Sequence, residues 1–165
     1  MSYDNTIMII QMIRVMFVGF LAAIIHPDVD ADERRIILMP VQGKMMCNAV
    51  VPNLSRQVFG LGIPETIGCR ERMWLVNHSD VTIQWHTDSE SGVVSTKWSK
   101  DELMEYHLNI LPGEDYVDLE IAIKNQSDFT WHDVFAFNCV SPARAPDFED
   151  SGWMILSGGM RLIRR

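Results

Sequence analysis

Acid–base or metal chemistry in this chain would fall first to five histidines, His26, His78, His86, His107 and His132. An imidazole serves as a general base best when a carboxylate orients and charges it. Two places supply such a neighbour: His86 and Asp88 share one face of any extended segment, and His132 adjoins Asp133. His78 stands in the polar run Asn77-His78-Ser79-Asp80. His78, His86, His132 and Asp133 are therefore the candidate catalytic groups. On one straight strand His78 and His86 would lie roughly 26 Å apart at ~3.3 Å per residue, so a shared role requires a bend. No HxH, HExxH or His-carboxylate-His spacing occurs, so no metal is expected. Asp147, Glu149 and Asp150 read as a solvated acidic loop.

Binding chemistry has a second source in Trp74, Trp85, Trp98, Trp131 and Trp153. An indole face stacks on a sugar ring while neighbouring amides and imidazoles bond its hydroxyls. Gln84, Trp85, His86 and Asn138 are the expected ligand-binding residues on that logic. No phosphate-binding loop, GxSxG elbow or dinucleotide fingerprint is present, and no cofactor is expected.

The elements that must hold these groups follow a two-residue rhythm. Val81, Ile83 and Trp85 alternate with Thr82, Gln84 and His86, which predicts a half-buried strand. Val93 to Trp98 is β-branched and aromatic-rich. Ser99 and Glu102 have capping-box spacing, but Met104, Tyr106, Leu108 and Ile110 alternate with polar residues, and a strand over 103–110 is favoured. Leu111-Pro112-Gly113-Glu114 predicts a type II turn. Val117, Leu119, Ile121 and Ile123 then mark the cleanest strand. Asn125 to Asp128 is a turn. Trp131 to Val140 is expected to be a strand with Phe135, Phe137 and Cys139 on one face, and one or two short strands are expected in 151–165. Short strands joined by turns too brief for helical crossovers predict an all-β chain, an antiparallel sandwich over 60–165.

Upstream, residues 32–59 form a poorly defined lead-in, and 1–31 are an apolar segment. Thr6 to Ile25 is near the length of a membrane span but contains Gln11 and Arg14. An arginine at the bilayer centre costs at least ~2.5 kcal/mol on insertion scales. The segment reads as an apolar helix, as an uncleaved anchor, or as a signal peptide with Val15 to Ile25 as its apolar region and cleavage after Ala31. Export to the periplasm or beyond, or membrane anchoring, follows from the last two.

Over 165 residues the net charge is −8. An acidic chain repels phosphate backbones, so nucleic acid is not an expected partner. Cys47, Cys69 and Cys139 match no zinc or CxxC spacing and are expected as buried small apolar residues, with one disulfide open to an exported chain. Open strand edges leave homo-oligomerisation available.

Three groups of residues carry a family resemblance: Gly60-Leu61-Gly62-Ile63-Pro64-Glu65, Trp74-Leu75-Val76-Asn77-His78-Ser79, and Pro112-Gly113-Glu114-Asp115. A further stretch runs from Val117-Asp118-Leu119-Glu120-Ile121 through Lys124-Asn125-Gln126-Ser127-Asp128 to Trp131 and the 135–146 segment. Together, residues 59–150 resemble poorly characterised bacterial proteins with a β-supersandwich of the galactose-mutarotase-like type. The chain is similar to a shortened member. The resemblance implies a carbohydrate-related module, with a sugar epimerase-like or hydrolytic enzyme and a ligand-free assembly module as alternatives. Aldose epimerases of that superfamily place an aromatic residue after an Asn-His-Ser/Thr stretch and a glutamate further on. Asn77-His78-Ser79 is followed by Asp80, and the resemblance therefore implies binding rather than catalysis.

Overall fold

The computed structural model describes residues 8–16, 35–52, 57–75, 81–145 and 154–155. Two antiparallel sheets face one another across a shared apolar core. The first sheet contains β1 (Met8–Met16), β6 (Trp85–Thr87), β7 (Val94–Lys100), β8 (Met104–Pro112) and β9 (Tyr116–Asn125), in the order β1-β9-β8-β7-β6. The second contains β2 (Ile37–Pro40), β3 (Met46–Val50), β4 (Val58–Gly68), β10 (Phe135–Arg144) and β11 (Met154–Ile155), in the order β11-β10-β4-β3-β2. The short β5 (Met73–Leu75) pairs with the far end of β4. The all-β antiparallel class read from the alternation is the observed one, and no helix occurs among the described residues.

The alternation works because successive side chains on a strand point to opposite faces. In β9, Val117, Leu119, Ile121 and Ile123 are buried while the residues between them reach solvent. In β8, Met104, Tyr106, Leu108 and Ile110 do the same, so the strand reading of this segment holds. The capping-box spacing of Ser99 and Glu102 instead marks a tight turn, in which the Leu103 N–H donates to the Lys100 carbonyl and Glu102 takes φ 55°. The next turn also differs from expectation. Pro112 still pairs with Val117, Gly113 donates to the Tyr116 carbonyl, and Glu114-Asp115 form the tip. A type II turn over 111–114 would need positive φ at Gly113, which it lacks.

The apolar N-terminal segment is corrected over Met8–Met16, where the chain is a strand and not a helix. β1 pairs with β9 along its whole length and sets Arg14 opposite Asp118. The guanidinium donates twice to that carboxylate, at 2.8 Å each, and lies 4.1 Å from the Tyr116 ring centroid. A continuous apolar run carries no period that separates strand from helix. Arg14, costly in a bilayer, has a cross-strand anion here. The remainder of the segment, including most of the expected signal-peptide region, lies outside the described residues.

Two further strands differ from the sequence reading. Residues 81–84 keep the alternating burial, but the strand begins only at Trp85. β10 starts at Phe135 rather than Trp131, and its inner face carries Ala136 and Val140. Phe135 and Phe137 are exposed on the outer face, where Phe135 covers the space a side chain at Gly68 would occupy. An aromatic ring over a neighbouring glycine explains why Phe135 faces outward.

Candidate functional site

A cleft of about 540 Å³ opens along the outer edge of β7. One wall is Val81, Thr82 and Gln84; the other is the strand end from Lys97 to Asp101. Its origin lies in a competition for backbone groups. β7 pairs with β8 through Lys100, but with β6 only through Thr96. The segment that would extend β6 alongside Lys97–Lys100 is held by the loop between β2 and β3. Gly43 N–H donates to the Ile83 carbonyl at 3.1 Å. The Gln42 amide brackets Trp85, accepting from its N–H at 3.2 Å and donating to its carbonyl at 3.4 Å. The Gln84 carbonyl goes to the Thr96 hydroxyl at 2.8 Å. With these groups committed, 81–84 stands off from β7 and the gap becomes the cleft.

The cleft is polar on an apolar floor. The Gln84 side chain is exposed and makes no hydrogen bond to the described protein. Lys97 is held by Glu105, Nζ to Oε1 2.9 Å, which lowers the Glu105 carboxyl below its ordinary range. Lys100 has no ion pair among the described residues. Trp98 is 6% exposed and stacks on Tyr106 with ring centroids 5.0 Å apart. Its indole N–H is buried without an acceptor, as is the Tyr106 hydroxyl without a partner. Buried donors are normally satisfied, which makes this N–H an exception inside the fold.

The residues expected to bind a ligand separate. Gln84 lines the cleft. Trp85 is a core side chain whose indole N–H donates to the Lys44 carbonyl at 2.9 Å, so its face is packed rather than presented. His86 is exposed on β6, and the expected His86–Asp88 pair does not form. Asp88 lies beyond the strand and its carboxylate accepts from the N–H groups of Glu90 (2.9 Å) and Ser91 (2.8 Å), which holds it below the usual carboxylate range. Asn138 belongs to the other sheet. It is buried with both amide atoms unpartnered, opposite a bulge in which Ile63, Pro64 and Glu65 stand against this one residue.

His132 and Asp133 do acquire partners, in a cluster at the other sheet. His132 Nδ1 lies 2.6 Å from Glu71, and its backbone N–H donates to the same carboxylate at 3.2 Å. Asp133 takes the Arg70 guanidinium, and the Arg70 N–H donates to the His132 carbonyl at 2.8 Å. Beneath them Trp74 stacks on Trp131 at 4.9 Å. The Cys69 thiol also contacts Glu71, and burial followed by that carboxylate pushes it up. A nucleophilic cysteine needs the imidazole beside the sulfur and the acid behind the imidazole. Here the acid lies between them and raises the thiol, so the arrangement is a clasp between the β4–β5 turn and the loop before β10. His78 and the acidic run 147–150 lie outside the described residues. Cys47, Cys69 and Cys139 are buried free thiols, and burial pushes Cys47 up to about 12.

The clasp gives a pH dependence. His132 holds the Glu71 carboxyl down to about 2 from its ordinary 4.5. A depressed carboxyl contributes stability that is complete above the unfolded value and lost as pH falls through the folded one. Denaturation midpoints in urea are expected to fall as pH drops from about 4.5 towards about 2. Glu71→Gln should flatten that part of the profile by lowering the midpoint above about pH 4.5, whereas Lys124→Ala, an exposed control, should keep the acid limb; an unchanged acid limb in Glu71→Gln would contradict the clasp.

Lys97 and Lys100 are functional candidates with no place in the sequence-based expectations, which name Trp98 only among five tryptophans. Their signal was available in the strand Val94–Lys100, where the sequence alternates and then ends in the charged pair Lys100-Asp101, but nothing local says that its outer edge is left open. No family model, curated protein or solved structure matches this chain.

Proposed function

We propose that this chain is a saccharide-binding β-sandwich module whose ligand occupies the cleft between residues 81–84 and 97–101. The observation that carries this reading is the lining: a free amide, hydroxyls, ammonium groups and one carboxylate gathered in one concavity beside the apolar Val81 and the little that Trp98 exposes. Sugar recognition requires polar groups that bond hydroxyls around an apolar contact, in a concavity of this size. The resemblance of residues 59–150 to galactose-mutarotase-like sandwiches points the same way. Binding is favoured over turnover because, among the described residues, Asp101 is the one carboxyl in the lining and no imidazole or thiol joins it. Acid–base cleavage or epimerisation needs two such groups.

Calorimetric titration of the chain with a panel of mono- and disaccharides is expected to show saturable heat at millimolar concentration or below. Gln84→Ala should weaken the best ligand by about fivefold, the worth of roughly one neutral hydrogen bond. Flat titrations for every saccharide at millimolar concentration would remove the reading.

A further inference from the structure

We infer that the cleft selects a saccharide bearing a carboxylate or another anionic group; this rests on the saccharide reading of the same cleft. The lining is rich in donors. Lys97 and Lys100 supply ammonium groups, Gln84 an amide, and Thr82 and Ser99 hydroxyls, while Asp101 is the one group there that only accepts. A ligand that matches this set must be rich in acceptors.

Charge sharpens the match. Two lysines stand in the lining against one aspartate, and Glu105 offsets one of them, so it is the individual Lys100 ammonium and not an excess of positive charge that meets an anion, on a chain whose net charge is −8. Glu105 engages Lys97 from the neighbouring strand, so Lys97 is positioned but partly neutralised. Lys100 has no such partner among the described residues, and its ammonium is the group left to meet an anion.

The probes are a galacturonate trisaccharide and the same trisaccharide with its carboxyls reduced to hydroxymethyl groups, titrated into the full chain by calorimetry. The acidic form is expected to bind about tenfold more tightly, the worth of one charge-assisted hydrogen bond. Lys100→Gln should erase that difference by bringing the acidic trisaccharide to the affinity of the reduced one. Equal affinity of the two forms for the unmodified chain would overturn the anion inference and leave saccharide binding standing. Binding of neither at millimolar concentration would overturn both. A short poly-glutamate peptide that bound as well as the acidic sugar would show that the open edge reads charge on an extended chain, and would overturn the saccharide class.

Discussion

Asn125→Ala is expected to cost about 3 kcal/mol of stability, read as a lower urea midpoint, because one buried amide organises the whole turn after β9. Its Nδ2 donates to the Phe129 carbonyl at 2.8 Å. Its Oδ1 accepts from the Ser127 N–H at 2.8 Å and from the Ser127 hydroxyl at 2.6 Å. That hydroxyl in turn accepts from the Trp131 indole N–H at 2.9 Å. Truncation removes donor and acceptor together and strands partners that are largely shielded from water, each worth ~1–3 kcal/mol when unsatisfied. The loss should reach Trp131 and therefore its stack on Trp74. Asn125→Asp keeps the acceptor but puts a carboxylate against the Phe129 carbonyl, so it should also destabilise. Gln126→Ala, exposed beside it, should stay within about 0.5 kcal/mol, since only the backbone N–H of Gln126 is used. A near-neutral Asn125→Ala would mean that the turn is held by the strand register alone. The same geometry bears on the Asn125-Gln126-Ser127 sequon: its amide nitrogen is committed inside the fold.

Ile121→Ala should cost about 4 kcal/mol, near the upper part of the ~2–5 kcal/mol range for aliphatic truncation in a core. Ile121 lies mid-strand in β9, paired with Leu108 of β8 on one side and with Gln11 of β1 on the other. At 1% exposure, with Leu108 at 0%, it has nowhere to collapse without moving a neighbouring strand. Ile121→Val should cost only about 1 kcal/mol, because it removes one methylene. Lys124→Ala, exposed on the same strand, should change the midpoint little. Equal effects at Ile121 and Lys124 would mean that the two faces of β9 are not distinguished by solvent.

The clasp and the cleft show different routes from sequence to site. His132 and Asp133 were visible as an adjacent pair, but adjacency did not identify their work. Glu71 lies 61 residues away from His132, and only the pairing of β4 with β10 brings the two together. Once Glu71 and Arg70 are in place, each member of the pair is engaged by a separate partner, and the imidazole–carboxylate couple suggested by the sequence does not exist as a unit.

By itself the sequence determined the all-β class and the run of strands from β7 to β9, because a two-residue period is a local property: each side chain's face follows from its neighbours and needs no knowledge of the rest. It also marked Asn125–Asp128 as a turn, since asparagine and serine bond their own backbone. The tertiary structure decided what has no local signal. It made Met8–Met16 a strand because β9 offers that run a ladder and Arg14 a carboxylate. It turned Phe135 outward because β4 presents Gly68 beside it. It withheld 81–84 from the sheet because Gly43, some forty residues upstream, takes the Ile83 carbonyl while Gln42 holds both backbone groups of the adjoining Trp85. The cleft exists because a backbone donor or acceptor can be taken by only a few partners, and the choice among them was made across the fold.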